Sequence, residues 1–287
     1  MEIIGQSSLW SFDGESQKIR KITNYPMRKT VGHQVASYLD LATKVAELQF
    51  MNPDYVLLFR GQRCDYQSTK RNTSLKPSLF RPTATNQTPG PEVLTRRFEI
   101  LKDAEQALIR HYSQEGFPGL DRMKKHRILR WSLLQHYEIC KTPLLDVTHS
   151  LRIAASFASI EAADKAFIFV LGVPNLSGAV TASAESGLQI IRLASVCPPK
   201  ALRPHIQEGY LLGEYPDMGD FSQKENYLHY EIDFGRRLIA KFFFDPRVFW
   251  SEETFPMVPE QDLYSRLSDP FFDLAQNVKN AIDTTEN

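Results

Sequence analysis

The strongest constraint on the fold lies between Leu144 and Ala158, where a short apolar strand ends on Asp146 and a helix rich in small residues follows. Thr148 and Ser150 stand at the predicted start of this helix, where hydroxyl groups accept the unpaired N–H groups of the first turn. A polar turn between a strand and a helix is also a common position for a ligand site. The stretch therefore predicts either a site or simple helix caps.

Composition argues against several classes of protein. The 287 residues contain 34 Lys and Arg against 34 Asp and Glu, so no overall field attracts nucleic acid or an anionic membrane. The three cysteines form no CxxC pair, which favours free thiols in a reducing cytoplasm over disulfides or a zinc site. No signal peptide is recognisable, and the longest apolar run, 167–173, is too short to span a bilayer. These features predict a cytoplasmic globular protein with neither a metal nor a membrane partner.

Hydrophobic periodicity predicts a mixture of helices and strands. The predicted helices cover residues 32–50, 91–112, 121–136 and 261–281. The predicted strands cover residues 55–59, 166–173, 188–194, 209–212 and 227–234, while 82–91 is a loop and 238–250 is ambiguous. Together they predict an α+β fold with a mainly antiparallel or mixed central sheet and flanking helices.

The strand predicted at 55–59 is expected to deliver Arg60 to its end, where Gly61 permits a sharp change of backbone direction. A guanidinium group in that position can bind a pyrophosphate through bidentate, charge-assisted hydrogen bonds. A second interpretation is a buried ion pair between Arg60 and Asp146 that only joins two strand ends.

Six segments in the same order resemble the FRG-domain proteins of bacteria and phages, which are named for a Phe-Arg-Gly motif. They are Phe59-Arg60-Gly61-Gln62, Leu75 to Arg81, Gln135-His136-Tyr137 with Leu144 to Thr148, Ser150 to Ala158, Arg203 to Tyr210, and Thr254-Phe255-Pro256. Glu138, Pro143 and Val147 depart from the Gly, Arg and Trp of the family pattern. The resemblance implies one FRG domain over 33–275 with a helical insertion at 91–138, preceded by an extension, 1–32, and followed by a flexible tail, 276–287.

A weaker resemblance, to ADP-ribosyltransferases of the Arg-Ser-Glu type, implies an ADP-ribosyltransferase-like core and NAD as the substrate, within a bacterial or phage defence or toxin system. Gln207 and Glu208 are then candidates for stabilising an oxocarbenium-like transition state. The implied binding residues are Arg60, Gly61, Gln62, Tyr137, Asp146, Thr148, Ser150, Arg203 and Tyr210, with Tyr137 or Tyr210 stacking on nicotinamide. A protein or a nucleic acid would be the acceptor.

Two other functions remain open. A non-catalytic module that binds a nucleotide or a nucleic acid is expected if the amide at Gln207 replaces a catalytic carboxylate. A metal-independent nuclease or hydrolase would instead use His136, with Asp146, for acid–base catalysis. His136 could equally be a core histidine that donates to a backbone carbonyl, and Gln207 with Gly209 could form only a turn.

Overall fold

The computed structural model describes residues 7–14, 16, 18–82, 88–226, 232–250, 255–265 and 269–283. The strands are β1 (Ser8–Ser11), β2 (Arg20–Thr23), β3 (His33–Gln34), β4 (Val56–Gln62), β5 (Leu145–Thr148), β6 (Ala166–Val173), β7 (Val180–Ser183), β8 (Leu188–Arg192), β9 (Gly209–Glu214) and β10 (Leu238–Phe244). The helices are α1 (Asn24–Lys29), α2 (Tyr38–Met51), α3 (Pro91–Gln114), α4 (Leu120–Lys125), α5 (Arg127–His136), α6 (Leu151–Ser159), α7 (Leu193–Val196), α8 (Leu202–Ile206), α9 (Pro246–Phe249), α10 (Glu260–Tyr264) and α11 (Pro270–Asp283). The predicted α+β class is confirmed.

The chain divides into two compact units, each assembled from three separate segments. The first unit comprises Met1–Leu75, Val147–Ser177 and Asp233–Tyr264. Its sheet has the order β3-β10-β6-β4-β5, in which β3 is parallel to β10 and the other pairs are antiparallel. Strands β1 and β2 form a separate antiparallel pair.

One face of this sheet forms the core of the first unit. Helix α6 packs its alanines against Phe59 of β4 and Val170 of β6, and α2 contributes Leu41 and Leu48 to the same cluster. The small side chains of α6 let the helix approach the strands closely.

The second unit comprises Lys76–Asp146, Gly178–Ile232 and Ser265–Asn287. Strands β7, β8 and β9 form an antiparallel sheet, and α3, α5 and α11 share a core with β8 and β9. Glu105 of α3 is buried inside this core. Its carboxylate accepts hydrogen bonds from Trp131 Nε1 at 2.9 Å and from Arg130 Nε at 2.6 Å. The two donors compensate for burial of the charge.

Helix α2 begins later than predicted, at Tyr38 instead of residue 32. His33 and Gln34 pair with Phe242 and Phe243 of β10, so the chain is extended before the helix. The side chain of Ser37 then caps α2 by accepting a hydrogen bond from the third residue of the first turn.

The helix predicted at 121–136 is divided at His126, which is extended between α4 and α5. Arg130 Nη1 accounts for the break, because it donates to the carbonyls of Met123 and Lys124 at 2.7 and 3.0 Å. A side chain therefore satisfies carbonyls at the end of α4 that a continuous helix would have paired.

Strand β6 has the predicted bounds, whereas several other elements differ. The strand predicted at 188–194 ends at Arg192, β7 was not predicted, and the ambiguous 238–250 is strand β10 followed by α9. Most of the strand predicted at 227–234 lies outside the described residues.

The C-terminal helix is represented by α10 and α11, and the flexible tail expected from residue 276 is helical as far as Asp283, because Val278 and Ile282 are buried. In the described part of the chain, no helix combines the length and apolarity needed to cross a membrane.

Candidate functional site

The Phe-Arg-Gly motif lies inside β4, and not at its end as predicted, because Arg60 to Gln62 pair with Phe167 to Phe169 of β6. Phe59 is buried against α6. A Cβ atom on Gly61 would lie 2.8 Å from the carbonyl carbon of Ala154 and 2.8 Å from the amide nitrogen of Ala158, and closer still to the Ala154 oxygen. Only glycine leaves room for α6 at this position.

Arg60 and Gln62 lie on the opposite face of β4 from Phe59 and Gly61, because side chains alternate along a strand. Both are partly buried. Gln62 Oε1 is buried and has no hydrogen-bond partner among the described residues. A buried acceptor without a donor costs about 1–3 kcal/mol, so its presence needs a reason.

The register also places two cations in one row on this face. Arg60 lies opposite Phe169 of β6, and Phe169 lies opposite Lys241 of β10. Lys241 is fully buried and donates to Asp65 Oδ2 at 2.7 Å and to Thr73 Oγ1 at 2.9 Å. The segment 63–75, which follows the motif, is therefore anchored on the face that carries Arg60.

A second ion pair holds the end of this segment. Arg28 Nη2 lies 2.6 Å from Asp233 Oδ2, and the other oxygen of Asp233 accepts a hydrogen bond from Leu75 N at 2.8 Å. The carboxylate also accepts from Ser74 Oγ at 3.1 Å. Ion pairs therefore lie at both ends of the segment 63–75. At its start Asp65 pairs with Lys241 of β10, and at its end Ser74 and Leu75 bind Asp233, which pairs with Arg28 of α1.

Ser150 caps α6, as predicted, whereas Thr148 is the last residue of β5 and holds the turn that precedes the helix. Ser150 N donates to Thr148 Oγ1 at 3.0 Å, and Ser150 Oγ accepts from Ile153 N at 3.5 Å. Thr148 is directly opposite Phe59, so its side chain shares the face of Phe59. The register consequently places Thr148 and Arg60 on opposite faces of the β4–β5 pair and does not bring them together.

In the second unit, α5 ends in a cluster centred on His136, which is buried. His136 Nδ1 lies 3.8 Å from Asp146 Oδ1, and Gln135 Nε2 donates to Asp146 Oδ2 at 2.5 Å. His136 Nε2 is buried and no described residue bonds to it. Burial lowers the pKa of His136, although the nearby carboxylate of Asp146 acts in the opposite direction.

Gly209 at the start of β9 packs against this histidine. A Cβ atom there would lie 3.5 Å from His136 Cε1 and 2.7 Å from Leu193 Cδ1. Gln207 is buried and its backbone N–H donates to the Arg203 carbonyl at 3.1 Å, while Glu208 has a φ of 44°. The Gln-x-Gly segment therefore forms a tight turn between α8 and β9.

Tyr137, a predicted stacking residue, is buried and its hydroxyl donates to Asp269 Oδ2 at 2.7 Å. Burial and this hydrogen bond raise the pKa of Tyr137. The guanidinium of Arg203 lies 5.7 Å from the ring centroid, and Arg203 Nη2 donates to Glu138 Oε1 at 2.8 Å. Tyr210, the other stacking candidate, is on the opposite face of β9 from Gly209 by strand alternation.

Sequence reasoning missed Asp269, which joins three elements of the second unit. Besides Tyr137, its carboxylate accepts Arg203 N at 3.0 Å and Phe271 N at 3.0 Å. Asp269 thereby caps α11, whose first residue is Pro270. An Asp followed by Pro and an apolar helix is an N-cap signal that could have revealed it.

The structure therefore groups the predicted residues by unit. Arg60, Gly61, Gln62, Thr148 and Ser150 belong to the first unit, and His136, Tyr137, Asp146, Arg203, Gln207, Glu208 and Tyr210 belong to the second. In the described chain, no three His, Cys, Asp or Glu side chains are placed to hold a metal ion.

A family model described as the FRG domain matches residues 56–166, less than half of the chain. This range contains the Phe-Arg-Gly, Gln-His-Tyr and Leu-Leu-Asp motifs, whereas Arg203 to Tyr210 and Thr254 to Pro256 lie beyond it. Neither the curated proteins nor the solved structures contain a match to the chain.

Proposed function

We propose that the FRG domain carried by this chain binds a nucleotide of the NAD type through Arg60 and Gln62. The observation that supports this is the buried, unsatisfied Gln62 Oε1, two residues from a guanidinium group on the same strand face. A ribose hydroxyl or an adenine amino group would supply the missing donor, and Arg60 would contact a phosphate. Lys241 adds little attraction, because Asp65 neutralises it.

ADP-ribosyl transfer is the reaction that we propose for such a ligand. The bond between nicotinamide and the ribose C1′ breaks, nicotinamide leaves, and an acceptor nucleophile bonds to C1′. The reaction needs only electrostatic stabilisation and positioning, so no metal is required.

Calorimetric titration with NAD and ADP-ribose tests the binding. Arg60→Ala should weaken binding at least about tenfold, because a charge-assisted hydrogen bond is lost, and Gln62→Leu should weaken it by a smaller factor. Arg63→Ala is the matched control, since Arg63 is exposed and pairs with Glu161 at 2.7 Å. Arg60→Lys keeps the charge without the bidentate geometry and covers the case in which Arg60→Ala does not fold.

Unchanged affinity in Arg60→Ala, or no heat from the wild-type protein at millimolar ligand, would overturn the proposal. Measuring nicotinamide release in the same samples separates the two forms of the function. NAD binding with release of nicotinamide supports the transferase, whereas NAD binding without release supports the non-catalytic nucleotide-binding module.

The second unit supports a different candidate, a metal-independent hydrolase that uses His136 as a general base. The lowered pKa keeps the imidazole neutral near pH 7, and a proton on Nδ1 directed at Asp146 leaves the lone pair on the unpartnered Nε2. We expect His136→Gln to abolish the hydrolysis of a model phosphodiester, and the exposed His126→Gln to leave it unchanged. Full activity in His136→Gln excludes this candidate.

A further inference from the structure

Two stretches of the first unit contain basic residues and no acidic ones. Residues 16–39 hold five Lys and Arg, and residues 66–75 hold two. Acidic residues make up 34 of the 287 residues of the chain, so the two stretches together would be expected to contain about four acidic residues. The excess of positive charge is therefore local to these two stretches, because the chain as a whole has no net charge.

Reciprocal hydrogen bonds join the two stretches. Arg28 Nε donates to the Thr73 carbonyl at 2.8 Å, and Thr73 N donates to the Arg28 carbonyl at 2.9 Å. Helix α1, which carries Lys29, is consequently held beside the turn that carries Lys70 and Arg71. Lys29, Lys70 and Arg71, which are exposed, thus contribute to one part of the surface.

Two backbone hydrogen bonds close the turn formed by residues 68–72. Arg71 N donates to the Ser68 carbonyl at 2.8 Å, and Ser68 N donates to the Asn72 carbonyl at 2.8 Å. Arg71 has a φ of 58°, a left-handed conformation that costs a non-glycine residue about 1–2 kcal/mol. Lys70 and Arg71 are both exposed at this turn.

An exposed aromatic ring lies beside Lys29, one of these cations. Tyr25 is 57 % exposed, and Lys29 Nζ lies 4.4 Å from its ring centroid. The hydrogen bond and the charge of Lys29, together with the charge of Lys70, lower the pKa of Tyr25. A second pair of the same kind occurs earlier in the chain, where Lys21 Nζ lies 5.4 Å from the Trp10 ring centroid.

Carboxylates neutralise only part of this charge. Asp13 pairs with Arg20, and Asp233 pairs with Arg28. Within the ranges that the structure describes, no carboxylate forms a salt bridge with the remaining cations of the two stretches, which are Lys18, Lys21, Lys29, Lys70 and Arg71.

From this arrangement we infer that the surface around Tyr25, Lys29 and Lys70 binds single-stranded nucleic acid. An exposed ring flanked by lysines offers a stacking platform for a base and cations for the neighbouring phosphates. A duplex would not present an unstacked base to Tyr25, so the surface favours a single strand.

Fluorescence anisotropy with a labelled oligothymidylate tests the surface. Tyr25→Ala should raise Kd about 5- to 100-fold, whereas Tyr25→Phe, which keeps the ring, should bind nearly as the wild type does. Lys29→Ala and Lys70→Ala should each raise Kd and reduce the slope of log Kd against log salt by about 0.7. Lys165→Ala is the matched control, because Lys165 is also exposed and lies 4.8 Å from the ring centroid of Phe243.

Three results would overturn the inference. They are no binding by the wild-type chain near physiological salt, an equal loss in Lys165→Ala, and equal affinity for a duplex of the same length. Thermal unfolding of each variant confirms that it is folded, which is expected since the substituted side chains are exposed.

Discussion

At the scale of single residues, Gly61 is required by space and not by its backbone angles. Gly61 and Gly209 both have ordinary φ values, and neither is among the positive-φ positions. Gly61 is needed because the backbone of α6 lies against β4, whereas a methyl group at Gly209 would meet the movable end of the Leu193 side chain and make an ordinary contact with His136. The sequence marked both positions, yet their physical reason depends on neighbours that are distant along the chain.

Gly61→Ala should destabilise the protein strongly, because the new methyl group meets the backbone of α6 and not a movable side chain. We expect a loss of about 3 kcal/mol or more in the free energy of unfolding, at the upper end for overpacking. Urea unfolding measures it. Gly90→Ala is the control, since nothing lies within 4 Å of a Cβ at Gly90, and it should cost less than about 1 kcal/mol. Equal losses would contradict the explanation.

His136 should make stability depend on pH. Its pKa in the folded protein is below the ordinary value of 6.5, so the unfolded chain takes up the proton first as the pH falls. The stabilisation is complete above pH 6.5 and is lost as the pH falls below that value towards the folded pKa. His136→Asn should therefore flatten the decline in unfolding free energy between pH 7.5 and 5.5 by up to about 1.4 kcal/mol per pH unit.

His126→Asn is the control, because it alters an exposed histidine and should leave the pH dependence of the unfolding free energy as it is in the wild type. Asp146, Glu138 and Arg203 are the charges that act on His136. A slope that is the same in His136→Asn and in the wild type would show that the folded histidine titrates normally.

At the scale of elements, patterns in the sequence predicted the helices and strands with strong periodicity. They failed where a contact with another side chain decides whether a helix or strand continues. β6 and α3 were anticipated because their apolar patterns are continuous. The break at His126 was not, because its cause is the side chain of Arg130. The run that contains β10 was ambiguous because it is rich in aromatic residues, and the buried Lys241 interrupts its otherwise apolar strand.

Lys241→Met should show how strongly β10 holds the segment 63–75. The substitution leaves the buried carboxylate of Asp65 without its cation, so the free energy of unfolding should fall by about 3–5 kcal/mol. The double variant Lys241→Met/Asp65→Leu should recover most of the loss, because no buried charge is left unpaired. Chemical denaturation of both variants and of the exposed Lys165→Met measures the coupling, and a double variant no more stable than Lys241→Met would refute it.

At the scale of the whole molecule, the chain passes back and forth between its two units. Residues 56–75 and 147–166 of the FRG match belong to the first unit, whereas 76–146 belong to the second. The boundary falls inside β5, after Asp146. The continuous domain expected over 33–275 is therefore built from segments that fold into different cores.

A fragment limited to residues 56–166 should not fold cooperatively. It contains β4 but only the first residue of β6, and it lacks β10, so β4 loses its longest pairing. Thermal unfolding followed by circular dichroism should show no sharp transition for the fragment and a cooperative one for the full chain. A sharp transition in the fragment would contradict this expectation.

The sequence alone determined the α+β class, most of the helices and the motif that the FRG domain match contains, because these depend on local periodicity and on short runs of residues. Only the tertiary structure decided where the motif residues lie and what they pack against. Strand register separates Arg60 from Thr148 by placing them on opposite faces of a sheet, and close packing of α6 explains Gly61. Pairing, register and ion pairs such as Lys241 with Asp65 join residues that are far apart along the chain, and no local pattern encodes them.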